Sequence, residues 1–153
     1  NELGQFISHK NIRNGIKKTR WPGRLEQGVL ENIKVYLDGA HNIDGATQLS
    51  KYFKNKKIKA WLILGMLNNK NLYEYLKKLK PIIKGIIAIS IPDQDNSFTT
   101  NQIINICNKL EIKNYPAQNI YEANNLLLKE IRPKVIIITG SLYLIGKIRN
   151  IYL

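Results

Sequence analysis

From residue 34 to the end of the chain, short apolar runs alternate with amphipathic stretches. The runs 35–38, 60–64, 85–90 and 135–139 are nearly continuous in Val, Ile and Leu, with a weaker one at 112–115. Such runs predict strands buried on both faces, as in a parallel sheet. Between them, 44–54, 71–80, 99–110, 120–131 and 142–151 repeat apolar residues at helical spacing and predict helices. The β-α-β-α order, with crossovers of this length, predicts a doubly wound open sheet. Upstream, Ile12 and Ile16 with Ser8 as cap predict a helix over 8–18. Trp21-Pro22-Gly23 breaks it and marks a boundary or hinge. The segment 24–29 predicts a short strand or extended lead-in before a charged turn at Glu31 and Asn32.

In a sheet of this kind, ligands bind outside the carboxyl ends of the strands. Those ends carry Asp38-Gly39-Ala40-His41-Asn42, then Gly65-Met66-Leu67-Asn68-Asn69-Lys70, then 92–97 with Asn96, and finally Thr139-Gly140-Ser141. Small, polar and glycine residues are thereby gathered on one edge. Asp38 supplies a carboxylate suited to sugar hydroxyls, His41 an imidazole near neutrality and Asn42 an amide, while Gly39, Ala40 and Gly140 are expected to let a ligand approach the backbone. Ser141 reads equally as a helix cap or as a hydroxyl donor to a carboxylate or phosphate. Arg24, after Pro22 and Gly23, can reach phosphate oxygens with both arms of its guanidinium.

At 153 residues and 44% hydrophobic, the chain is long enough for one domain with a substantial core. Its formal charge of +13 suits an anionic partner. Lys, Asn and Ile are abundant throughout, and the tightest lysine groups, at 54–59 and 77–80, fall at predicted helix ends, where lysine complements the helix dipole. Nucleic acid is therefore not among the expected partners. The single cysteine, Cys107, excludes an internal disulfide, and its apolar neighbours predict a buried core thiol. His9 and His41 have no metal-ligand spacing to each other or to Cys107, so no metal site is expected in this chain. The chain contains neither a membrane-span pattern nor a signal-peptide pattern, and a cytoplasmic monomer is expected. A first residue other than Met suggests a fragment or excised domain. There is no G-x-x-x-x-G-K-[ST] loop and no G-x-G-x-x-G after a strand, which argues against an autonomous nucleotide hydrolase or dehydrogenase.

Four segments together, Trp21-Pro22-Gly23-Arg24-Leu25-Glu26, Leu37-Asp38-Gly39-Ala40-His41-Asn42, Leu64-Gly65-Met66-Leu67 and Thr139-Gly140-Ser141-Leu142-Tyr143, stand in the order and spacing of a known family. The chain resembles the carboxyl-terminal part of folylpolyglutamate synthase and dihydrofolate synthase, which are Mur-type ligases. The resemblance implies an α/β, Rossmann-like open, mostly parallel sheet flanked by helices over residues 21–153. Residues 1–20 would be the tail of a preceding ATPase domain and the connection between domains. It also implies ATP-dependent amide-bond formation, in which a folate or dihydropteroate carboxylate becomes an acyl phosphate that glutamate attacks. On this resemblance Arg24 would contact ATP phosphates, Asp38 the ribose, and His41 and Ser141 the glutamate or the phosphate end, with Asn42, Lys70 and Asn96 as auxiliaries. The Mg2+ ligands would lie in the preceding domain.

Four positions depart from the family pattern. Ile43 replaces a Pro after the His-Asn pair, Asn69 and Asn71 rather than acidic residues flank Lys70, and Asn96 stands where many relatives carry Arg. Two alternatives remain at this level: a Mur-type cell-wall peptide ligase domain, and a basic Rossmann-like nucleic-acid-binding module.

Overall fold

The computed structural model describes residues 8–18 and 21–153. Residues 1–7, and Thr19 and Arg20 in the expected interdomain connection, lie outside the described residues. Helix α1 (His9–Lys18), exposed over residues 9–15, precedes a six-stranded sheet built from β1 (Glu26–Leu30), β2 (Ile33–Asp38), β3 (Ala60–Leu64), β4 (Ile83–Ala88), β5 (Asn114–Pro116) and β6 (Val135–Thr139). The strand order is β1-β2-β6-β3-β4-β5, with β1 antiparallel to β2 and every other pair parallel. The helices after the strands are α2 (Ile43–Asn55), α3 (Leu72–Leu79), α4 (Thr100–Lys109), α5 (Ile120–Asn125) and α6 (Leu142–Ile148).

Alternation along each buried strand sorts the apolar residues into two layers. The row Tyr36, Ile137, Leu62, Ile86 crosses four strands in register. It packs under α2, α3 and α4 through Phe53, Leu76 and Ile103. The next row, Leu37, Ile138, Ile63, Ile87, faces the other way, against Leu127 of the helical segment after α5 and Leu144 and Ile148 of α6. Each fully buried Leu or Ile stabilises the fold by roughly 1.5–3 kcal/mol. Each of the five helices that follow a strand starts from a polar side chain that accepts a first-turn N–H: Asn42, Asn71, Thr99, Asn119 and Ser141. The lysine groups fall where the dipole favours them, with Lys54 in the last turn of α2 and Lys77 and Lys78 in that of α3.

The chain terminus closes the outer edge of β1. The Val29 N–H donates to the Tyr152 carbonyl at 2.9 Å, the Tyr152 hydroxyl donates to Asn124 Oδ1 at 2.8 Å, and Arg149 pairs with Glu26 at 2.6 Å.

Observed elements track the expected ones, with shifts that have physical causes. The third parallel strand starts at Ile83 rather than at 85, because Ile83 already pairs with Ala60. The weak run at 112–115 becomes the short β5, with Ile112 turned into the core. The helix expected over 120–131 changes to a wider π-type turn from Leu126 to Ile131, closed by the Arg132 N–H on the Leu127 carbonyl at 2.8 Å.

Strand order decides where chemistry can sit. β6 lies between β2 and β3, and its helix α6 packs on the face opposite to α2 and α3. Helices that leave neighbouring strands for opposite faces open a crevice at the carboxyl ends. Asp38 and Thr139 are register partners at that crevice.

Candidate functional site

The Trp21-Pro22-Gly23-Arg24 turn closes with the Arg24 N–H on the Trp21 carbonyl at 3.1 Å, and Gly23 sits at φ +69°, the position that needs glycine in a Pro-Gly type II turn. Two backbone links fasten this turn to the end of β2. The Gly39 N–H donates to the Gly23 carbonyl at 2.7 Å, and the Leu25 N–H donates to Asp38 Oδ2 at 2.9 Å. Asp38 Oδ1 accepts the Ala40 N–H at 2.9 Å. Only 7% of Asp38 is exposed, and that burial pushes its carboxyl above the ordinary value, against the two backbone donors and the charge of Arg24. Each carboxylate oxygen keeps acceptor capacity beyond the bond it makes.

His41 Nδ1 lies 2.9 Å from the Gly39 carbonyl. A carbonyl can only accept, so Nδ1 carries the proton and Nε2 is left as the acceptor of the neutral ring. His41 borders two cavities. One, of about 290 Å³, is lined by Arg24, Leu25, Asp38, His41, Asn42 and Gln48, among others. The other, of about 180 Å³, is lined by His41, Leu67, Lys70, Gly140, Ser141 and Tyr143, together with Leu142. Arg24 is exposed and enters no ion pair among the described residues, so its guanidinium is open to an anion.

The fold therefore brings together six of the residues singled out by sequence: Arg24, Asp38, His41 and Asn42 around the first cavity, and His41, Lys70 and Ser141 around the second. Asn96 lines neither of them. Its carbonyl accepts the Asn68 N–H at 2.8 Å and helps join the loops after β3 and β4. Asn42 and Ser141 both act as caps, through Gly45 N–H at 2.8 Å and Tyr143 N–H at 3.1 Å. The amide N–H groups of Asn42 and the hydroxyl proton of Ser141 remain to donate.

The close backbone approaches expected for a ligand at Gly39 and Gly140 serve internal packing instead. A Cβ on Gly39 would collide with the Leu142 side chain, and one on Gly140 would meet the Gly65 carbonyl. Cys107 is buried, and that burial pushes its thiol up to about 12. His9 lies exposed on α1. Among the described residues, no group of three or more His, Cys, Asp or Glu side chains could hold a metal. No helix among them is long and apolar enough to cross a membrane.

Sequence reasoning missed Tyr75 of α3. Its hydroxyl lies 3.0 Å from the Ala40 carbonyl and 2.9 Å from Thr139 Oγ1, fully inside the protein. In sequence it is one apolar-face position among Leu72, Leu76 and Leu79, and nothing distinguishes its hydroxyl from a packing ring.

The family model for the C-terminal domain of dihydrofolate synthetase matches residues 24–151. The dihydrofolate synthase/folylpolyglutamate synthase of Bacillus subtilis is 32% identical over 151 residues, covering 94% of this chain and 33% of that protein. A solved folylpolyglutamate synthase from Thermotoga maritima aligns at TM-score 0.76 with 28% identity, over 96% of this chain and 34% of its own. That of Mycobacterium tuberculosis, solved with ADP and AMPPCP, aligns at TM-score 0.82 with 20% identity, over 95% and 35%. The chain thus spans about a third of the length of the relatives it matches.

Proposed function

Because this chain belongs to the family of dihydrofolate synthetase C-terminal domains, we propose that it supplies one wall of the active site of an ATP-dependent folate:glutamate ligase. In that reaction the ATP γ-phosphoryl passes to a folate or dihydropteroate carboxylate and ADP is released. The glutamate amine then attacks the acyl phosphate, phosphate leaves, and the amine loses a proton. Positioning and electrostatic stabilisation carry most of such chemistry. Residues 21–153 form the closing domain, and residues 1–20 lead from the ATPase domain.

The observation that carries this reading is the place of His41 between two cavities, one holding Arg24 and Asp38 and the other Lys70 and Ser141. In the first, the Arg24 guanidinium meets ATP phosphates in the two-pronged way that suits them. Asp38 uses its remaining lone pairs for the ribose hydroxyls. In the second, Lys70 and the Ser141 hydroxyl suit the carboxylates of glutamate or a phosphate, and His41 Nε2 accepts from the substrate side. Asn42 is an auxiliary through its amide N–H groups, and Asn96 has only its distant loop position to offer. The described residues do not by themselves make a Mg2+ site; in the complete enzyme the ATPase domain would hold the metal. No feature of the site favours the cell-wall ligase or nucleic-acid readings.

In the full-length enzyme, ADP release should require ATP, a folate and glutamate together. Asp38→Ala and His41→Ala should each depress it. Full activity in either variant would refute that residue's assignment.

A further inference from the structure

We propose that the Tyr75 hydroxyl is the positioning group that sets the spacing of the three turns bearing His41, Lys70 and Ser141, and through it the fit of the incoming amino acid. This rests on the glutamate-side reading of the cavity those residues line.

This one oxygen ties α3, the helix that follows the Lys70 turn, to the turns after β2 and β6. Tyr75 belongs to α3, which starts two residues after Lys70 with Asn71 as its cap. Its hydroxyl donates to the carbonyl of Ala40, the residue before His41, at 3.0 Å. With its own proton on that carbonyl it accepts from Thr139 Oγ1, two residues before Ser141, at 2.9 Å, a hydroxyl that also lies 3.4 Å from the Ala40 carbonyl. The same Ala40 carbonyl accepts the Gly140 N–H at 3.1 Å, so the turns after β2 and β6 are clamped to each other as well as to α3.

Packing does not call for the hydroxyl. Phenylalanine would fill the same space on a helix face otherwise made of Leu72, Leu76 and Leu79. A buried hydroxyl is unfavourable unless it is bonded, and here both of its roles are used. Burial pushes the phenol far above its ordinary value, against the Thr139 hydrogen bond and with a smaller push from the charge of Asp38, so it stays a neutral donor. Tyr75 lines neither cavity and touches no substrate; it acts through the turns it joins.

The test is Tyr75→Phe in the full-length enzyme, read as separate KM values for glutamate and ATP and as kcat. Loss of one neutral hydrogen bond at a spacing element predicts a glutamate KM raised roughly three- to tenfold. The ATP KM and kcat should stay within about twofold. A purely structural role would lower kcat through a smaller active fraction while leaving both KM values alone, and that result would overturn the proposal. Thr139→Val keeps the Tyr75 bond to Ala40, so it should raise the glutamate KM less than Tyr75→Phe does. An equal or larger shift would move the role to Thr139 and overturn the proposal too. Wild-type ADP release that does not need glutamate would sink the ligase reading itself. Normal glutamate dependence with an unchanged KM in Tyr75→Phe would sink the positioning role alone.

Discussion

The Asp38 carboxylate accepts the backbone N–H of Leu25 at 2.9 Å, while Leu25 itself is held at φ +48°. A leucine in left-handed conformation is strained, and it persists only where its surroundings fix it. Asp38 provides that fixing, and the same bond holds Arg24 at the mouth of the first cavity. Asp38→Ala would leave the half-buried Leu25 and the buried Ala40 donors without their carboxylate acceptor, so the expected loss of stability is about 1–3 kcal/mol. Urea denaturation with an unchanged slope checks it. An unchanged midpoint would mean that the link between turn and strand is energetically idle.

Most of the fold was legible because strands buried on both faces leave an unmistakable run, as at 60–64, where the observed strand has the bounds expected. Ser141, read equally as a cap and as a hydroxyl donor, does cap α6, whereas Asn71, read as part of its helix, stands just before it as the cap. What the chain does not announce is which strand lies next to which. The insertion of β6 between β2 and β3 depends on how α2, α3 and α6 share the two faces, a property of packing rather than of any window of sequence. The site follows the same division. Asp38, His41 and Ser141 are conspicuous polar residues at strand ends, whereas Tyr75 joins them only through tertiary contact. Gly39 misled, since its missing Cβ makes room for Leu142, a residue 103 positions further along the chain.

Glu26 and Asp38 should pull the acid limb of stability in opposite directions. The hydrogen bond from Arg149 holds the Glu26 carboxyl below its ordinary 4.5, helped by the Gly23 N–H and opposed by burial. Its contribution is therefore complete above 4.5 and is lost as pH falls through the lower folded value. Asp38 is raised by burial, so its contribution is complete below its ordinary 3.8 and is lost as pH rises through the higher folded value. Glu26→Gln should flatten the decline in denaturation midpoint as pH falls below about 4.5. An acid limb as steep as that of the wild type would remove the Arg149 pair as its cause.

Arg24 offers a test of geometry rather than of charge. Arg24→Lys keeps the positive charge but gives up the planar fork that meets two phosphate oxygens at once. In the full-length enzyme the KM for ATP should rise by about tenfold, the scale of one lost charge-assisted hydrogen bond. The KM for glutamate should hold. Equal effects on both substrates would show that Arg24 supports the domain rather than the nucleotide.

Two glycines close together in sequence should respond to alanine with opposite signs. Gly146 lies exposed within α6 and has no atom within 4 Å of where a Cβ would stand. There, Gly146→Ala removes unfolded-chain freedom at no steric cost and should stabilise by about 0.5–1 kcal/mol. Gly140 sits at φ +108°, where side chains are strained, and a Cβ would come 2.5 Å from the Gly65 carbonyl oxygen. That oxygen belongs to backbone at the end of β3 and cannot swing aside as a side chain would. Gly140→Ala must therefore part the ends of β6 and β3, weaken the Gly140 bond to the Ala40 carbonyl and destabilise by at least about 2 kcal/mol. Thermal midpoints of the two variants check both signs. A Gly140→Ala protein as stable as the wild type would mean that the turn carrying Ser141 is free to move, and the positioning ascribed to Tyr75 would lose its foundation.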